Sequence, residues 1–251
     1  MAIPRFSTAL VTGANRGLGL EFVRQLLDAG SRVVAVCRAR SSAEGLRDLQ
    51  VRHGDKLEIA ELEVGNLPAL TAFRPPLAEG CGLDLLIHNA AMLGGPRANG
   101  IEMAAPEGFD EVFRVNVAAP LFLTQALLPC LAAGRAPVVT VLGSRTGLVS
   151  DVLEEPGRDL FYSTSKAAAH RLVTALASEL APRGVTVVGV NPGWVLTGMT
   201  SDGPSKPTLL PEESVAGVLE VLSRVQAADT GRFFHYNGSR ARWEAVSPER
   251  V

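Results

Sequence analysis

Residues 7–30 read STALVTGANRGLGLEFVRQLLDAG, and the order of their parts decides the fold. A short apolar run, STALVTG, leads into a glycine-rich turn. A segment with Leu18, Phe22, Leu26 and Leu27 at helical spacing follows, closed by Gly30. This is a buried strand, a tight turn and a helix. The turn carries Gly13, Gly17 and Gly19 within TGANRGLG. Glycines there let the backbone approach a pyrophosphate, and the N-terminus of the next helix offers amide donors and the positive end of its dipole. A glycine triplet alone is weak evidence. Its place between strand and helix, at the head of an alternating chain, makes it a nucleotide-binding turn.

Working outward, strands and helices alternate to the end of the chain. RVVAVCR, LEIAELEV, LDLLIHNAA, PVVTVLGS, VTVVGVNPG and GRFFHY read as further strands. Helical patterns lie in SSAEGLRDLQVRH, in LPALTAFRPPLAE up to its prolines, over about 107–133, over 161–182, and from PEESVAGVLEVLSRV onward. Strands with continuous rather than alternating Val, Ile and Leu belong to a sheet covered on both faces, and crossover helices make its pairing parallel. The expectation is a doubly wound α/β parallel sheet, with residues 1–251 forming one domain. No repeat or linker interrupts it. Stretches 92–105, 146–160 and 198–210 are irregular, and loops of such length shape entrances to sites.

The bulk composition narrows the function. The 251 residues carry a net charge of −2 with no basic run, so nothing draws the chain to nucleic acid or an anionic membrane. No segment approaches the roughly 20 apolar residues of a membrane span. Cys37, Cys81 and Cys130 are scattered, without a CxxC pair, and Cys37 and Cys130, in apolar stretches, read as small buried hydrophobes. The N-terminal residues show no secretion signal, so the expected location is cytoplasmic.

The end of the second strand bears on which nucleotide binds. An NAD-selective site places an acid there for the ribose hydroxyls. This chain has AVCRAR, with Arg38 at that point and Arg16 inside the glycine turn. Two guanidiniums suit a 2′-phosphate, which they grip with charge-assisted forks, and the expected cofactor is NADP(H). The plainer alternative is a pair of solvated surface arginines.

At the chemical end, FYSTSKAAAHRL holds Tyr162 and Lys166 four apart, so both project from one helix face. The chain has two tyrosines and three lysines, and the expected number of such pairs by accident is on the order of 0.02. A free phenol titrates near pH ~10, too high for easy proton exchange near neutrality. A nearby ammonium favours the phenolate and lowers that value. Ser144 ends the fifth strand, where its hydroxyl can polarise a substrate oxygen. Asn116 and Pro120 make a local irregularity in the long helical region plausible. His88 reads as a satisfied strand-end histidine rather than a base, and Trp194 as substrate wall in preference to core.

The motifs TGANRGLG, HNAA, FRVNVAAP, VLGS, YSTSK and NPGWVLTGM, in that order, resemble the short-chain dehydrogenase/reductase family over essentially the whole chain. NPGWVLTGM…PEESVAGVL…GRFFHYNG and the long Ser-to-Tyr interval resemble its C-factor and sniffer-like carbonyl reductase branch. The resemblance implies a Rossmann fold and a catalytic set of Asn116, Ser144, Tyr162 and Lys166. Tyr162 would exchange the proton, Lys166 would hold the nicotinamide ribose, and Asn116 would hold a water linking Lys166 to solvent. The implied cofactor contacts begin with Gly13, Asn15, Arg16, Gly17, Leu18, Gly19 and Arg38. Glu63 and Val64 lie at the adenine, and Asn89, Ala90 and Ala91 on the adenosine-ribose side. Pro192, Gly193, Val195 and Thr197 sit at the nicotinamide, with Tyr162 and Lys166. A homodimer or homotetramer through the helices at 107–133 and 161–182 is also implied.

Three positions and one interval depart from the family pattern. Glu63 stands for the usual Asp, Gly143 for a common Ser (expected to matter little), and Gly198 for a frequent acid. The 18 residues from Ser144 to Tyr162 exceed the usual interval. The expected activity is NADP(H)-dependent interconversion of a small-molecule carbonyl, ketone or aldehyde, and its alcohol. The competing reading is a regulatory or interaction protein that binds NADP(H) without turnover; such proteins usually lose Tyr or Lys. A metal-dependent dehydrogenase would need a Cys/His cluster that the sequence lacks, so no metal is expected.

Overall fold

Among the described residues, seven short, mostly apolar segments pair into one sheet, all parallel, in the order β3-β2-β1-β4-β5-β6-β7. A computed structural model of the chain describes residues 6–77, 80–95, 101–102, 104–148, 160–200 and 207–240. The strands are β1 Thr8–Thr12, β2 Arg32–Cys37, β3 Leu57–Glu61, β4 Leu85–His88, β5 Val138–Leu142, β6 Thr186–Asn191 and β7 Phe233–His235. Each lies within a segment expected to be a strand. The helices are α1 Gly17–Asp28, α2 Glu44–His53, α3 Leu67–Ala72, α4 Pro106–Phe113, α5 Ala119–Ala126, α6 Leu128–Ala132, α7 Leu160–Leu180 and α8 Pro211–Arg224.

Alternation along each strand explains why both faces are apolar. Ala9, Val11, Val33, Ala35, Leu57, Ile59 and Val188 point to one face, where they pack with α1, α2 and α8. Leu10, Val34, Val36, Leu86, Val139 and Val187 point to the other, against α3, α5, α6 and α7. The doubly wound expectation holds. The strand order reverses between β1 and β4, and in such sheets the crevice above the carboxyl ends of those strands takes the ligand.

The long helical region is broken where irregularity was expected. A π turn at Arg114–Ala118 separates α4 from α5, and α6 follows after Leu127. Pro120 stands just behind the π turn in a chain that is helical on both sides, and it has no N–H for the Asn116 carbonyl four residues back, which is where the regular helix gives way. The stretches 92–105, 146–160 and 198–210 lie partly outside the described residues.

Candidate active site

The glycine turn and β4 are stitched together at the crevice. Thr12 Oγ1, at the end of β1, accepts from the N–H groups of Asn89 and Ala90, each at 3.1 Å. The Asn89 amide donates back to Thr12 O at 2.8 Å and Gly13 O at 3.1 Å. Gly13 has a φ of +63°, and a Cβ on it would fall 2.9 Å from Ala90 Cα. A Cβ on Gly19 would collide with Gly13 O and fall 2.6 Å from Asn89 Nδ2. These glycines are therefore required by the turn itself. Asn15 Nδ2 reaches Ser42 O at 3.4 Å, tying the turn to the segment beyond β2. Leu18, half-buried, packs against the core on the α1 side.

Arg16 and Arg38 are both exposed where the turn and β2 end. Arg38 Nε lies 3.6 Å from Glu63 Oε2, an ion pair open to water. Glu63 also accepts from Gly65 N at 3.2 Å, so the acid beyond β3 is occupied locally. Val64, Ala90, Val115, Thr12 and His88 line one small cavity. Ala91 is half-buried beside it in sequence. His88 is buried, with Nε2 2.9 Å from Thr124 Oγ1, and burial lowers its pKa to about 3. It is a neutral, partnered histidine, as expected.

The chain after β6 folds back over the glycine turn. Asn191 Oδ1 accepts from Gly193 N at 3.1 Å, and Ser214 Oγ donates to Pro192 O at 2.6 Å. Val195 bridges Leu209, and Leu196 N donates to Leu209 O at 2.9 Å. A Cβ on Gly17 would sit 3.7 Å from the Thr197 methyl, so these two expected cofactor contacts, far apart in sequence, are neighbours. Trp194 is 52% exposed, which rules out the core reading.

The expected chemical residues converge on α7 and the end of β5. Lys166 is buried, and its Nζ donates to Leu142 O at 2.7 Å, two residues from Ser144. Burial lowers its pKa to about 8. The ammonium lies 5.4 Å from the centroid of the half-buried Tyr162 ring. Ser144 Oγ is 2.9 Å from Thr146 Oγ1 and caps the 3-10 turn Arg145–Gly147 by accepting from Thr146 N at 3.3 Å.

Asn116 lies in the π turn, buried. Its Oδ1 accepts from Met92 N at 2.9 Å; its Nδ2 donates to Met92 O at 3.0 Å and Ser165 Oγ at 2.9 Å. Ser165 Oγ in turn donates to Tyr162 O at 2.7 Å. One amide thus fixes the segment after β4, the π turn and the first turns of α7.

Two contributors were not anticipated. Thr12 organises the Asn89–Ala90 backbone; a hydroxyl just before a glycine turn was the available signal. His170 accepts from Ser144 N at 3.2 Å through Nε2. Its signal was spacing, since it stands four residues beyond Lys166 as Lys166 stands beyond Tyr162. Among the described residues no group of three or more His, Cys, Asp or Glu is placed to hold a metal ion. Among them also, no helix is long and apolar enough to cross a membrane.

The family model described as short chain dehydrogenase matches residues 7–207. The chain belongs to that family. This makes it a member of an oxidoreductase family, with the Tyr162–Lys166 pair on the long helix beside the crevice. Similar solved structures include the NADPH-bound carbonyl reductase from chicken fatty liver, 34% identical, covering 95% of this chain and 100% of that one, with a TM-score of 0.85. The carbonyl reductase Sniffer of D. melanogaster is 26% identical over 95% of this chain and 100% of that one, with a TM-score of 0.84. C-signal of Myxococcus xanthus is 34% identical over 162 residues, which is 64% of this chain and 93% of C-signal.

Proposed function

We propose that this short-chain dehydrogenase is an NADP(H)-dependent carbonyl reductase acting on a ketone or aldehyde, with Tyr162 as acid/base. The observation that carries the reading is the meeting of three groups beside the crevice. Tyr162 and Lys166 share one face of α7, and the buried Lys166 ammonium is bonded to Leu142 O, two residues before Ser144.

The residues present fit the cofactor. The turn at Gly13 and Gly19 has no room for a Cβ, and exposed Arg16 and Arg38 offer cations where a 2′-phosphate needs them. The NADPH-bound state of the chicken carbonyl reductase supports the same choice. NADPH supplies the hydride when bound. Tyr162 gives its proton to the carbonyl oxygen, and Ser144 donates a hydrogen bond to the same oxygen. Lys166, charged below about pH 8, stabilises the phenolate left behind. The Asn116 side chain is committed to Met92 and Ser165, so its part in proton return falls to the main chain. The i+4 residue for the Asn116 carbonyl is Pro120, which has no N–H to give it. Leu121 and Phe109, exposed on α5 and α4, suit a homo-oligomeric contact, which analytical ultracentrifugation tests.

The test is a screen of NADPH oxidation over aldehydes, ketones, quinones and diketones, with Tyr162→Phe beside the wild type. Wild type is expected to reduce at least one class. Tyr162→Phe is expected to lose about 10²–10⁴-fold in kcat while still binding NADPH. NADPH binding with no reduction by either protein would instead mark a nucleotide-sensing protein.

A further inference from the structure

We propose that His170 is a positioning residue for this reaction, aiming Ser144 through the Ser144 backbone amide. The inference rests on the reading of Ser144 as a donor to the substrate oxygen. The face of α7 that carries Tyr162 and Lys166 continues, one turn on, to His170. The two buried side chains seize successive groups where β5 runs out. Lys166 Nζ donates to Leu142 O at 2.7 Å, and His170 Nε2 accepts from Ser144 N at 3.2 Å. Between them Gly143 N keeps its sheet bond to Val190 O at 2.8 Å. β5 ends at Leu142, so His170 replaces a sheet partner for the Ser144 N–H. The direction in which Ser144 leaves the sheet is thereby set by the catalytic helix.

The imidazole is built to accept. Nε2 takes the Ser144 N–H, so the neutral ring carries its proton on Nδ1. Burial and the neighbouring Lys166 charge hold its pKa down to about 4, against a hydrogen bond with the Gly147 backbone that favours protonation. A protonated ring would set N–H against N–H. The ring is 1% exposed and lies against Phe233, centroids 4.3 Å apart. A Cβ on Gly143 would fall 2.5 Å from His170 Nε2 and collide with the Phe233 ring. The serine common at position 143 in the family therefore has no room here, and Gly143 and His170 belong together. The expectation that Gly143 matters little is corrected by this packing.

The experiment compares His170→Leu, His170→Gln, Ser144→Ala, the Leu/Ala double variant and Tyr162→Phe. Turnover is followed by NADPH oxidation with para-nitrobenzaldehyde, NADPH binding by fluorescence, and Ser144 amide hydrogen exchange by NMR. His170→Leu is expected to lower kcat about 10–100-fold, leave NADPH affinity unchanged and speed Ser144 exchange. Gln, which keeps an acceptor near Nε2, is expected to restore most of the rate. In the Ser144→Ala background His170→Leu is expected to cost less than about twofold. Multiplying losses, an unaffected kcat, or unchanged Ser144 exchange would overturn the proposal. If Ser144→Ala and Tyr162→Phe both retain wild-type rates, the active-site reading fails and this proposal with it. If both lose activity while His170→Leu matches wild type, the proposal alone fails. Without turnover of the aldehyde by wild type, the exchange measurement decides: faster exchange supports the contact, and unchanged exchange overturns it.

Discussion

Lys166 keeps an ammonium where water barely reaches, and the fold is strained electrostatically to hold it there. Its ordinary pKa of 10.5 falls to about 8 because burial disfavours the charged form. Between those two values the unfolded chain holds a proton that the folded chain has released. Unfolding then takes up a proton, so stability rises with pH across that window. Below about 8 both states are charged, and the burial penalty is present in full. That penalty is on the order of 3 kcal/mol. The difference in unfolding free energy between wild type and Lys166→Met, measured by urea titration from pH 7 to 11, should therefore move in favour of wild type as pH rises. A flat difference would mean that Lys166 titrates as it does in water. In the reaction proposed here the same ammonium stabilises the phenolate, so that role is set against stability.

The π turn between α4 and α5 is the element on which the site hangs. Asn116 gives three hydrogen bonds from a buried amide, two of them to the Met92 backbone. Asn116→Ala strands the Met92 N–H and C=O and removes one of the two hydrogen bonds of the Ser165 hydroxyl, which keeps its bond to Tyr162 O. The expected destabilisation is about 2–4 kcal/mol, read as a lower urea midpoint with an unchanged slope. A loss under about 1 kcal/mol would show that water replaces the amide. The break in this helix could be anticipated from Asn116 and Pro120, which are poor interior helix residues. The inner strands β1, β2, β4, β5 and β6 were legible because they are buried on both faces and written as near-continuous apolar runs, whereas the edge strand β3, LEIAE, alternates. Tyr162 and Lys166 were legible because both residue types are scarce. His170 was not, because a histidine on an alanine-rich helix shows its purpose only when Ser144, distant in sequence, is beside it. Thr12, Ser165 and the Arg38–Glu63 pair were hidden for the same reason: their partners come from other strands or helices. The strand order, too, depends on crossovers that local periodicity does not encode.

At the scale of the whole molecule, the crevice joins segments from across the chain: the turn after β1, Arg38 after β2, Asn89 and Ala90 after β4, and Thr197 after β6. A ligand that bridges them binds only the folded state and raises its stability by RT ln(1 + [L]/Kd), about 2.7 kcal/mol at a hundredfold excess over Kd. For a chain of this length that corresponds to a rise of roughly 5–10 °C in Tm. NADPH should give the larger rise and NADH, at equal concentration, a smaller one, because only NADPH offers a 2′-phosphate to Arg16 and Arg38. Arg38 already lies 3.6 Å from Glu63, so part of its charge is spent in the free protein. Glu63→Gln should release it and widen the gap between the two cofactors, whereas Arg38→Ala should narrow the gap. Exposed pairs of this kind are screened by salt, so the gap should also shrink as ionic strength rises. Differential scanning fluorimetry of the three proteins with each nucleotide, at low and high salt, measures all of this. An NADH shift equal to or above that of NADPH in the wild type would overturn the assignment of the two arginines.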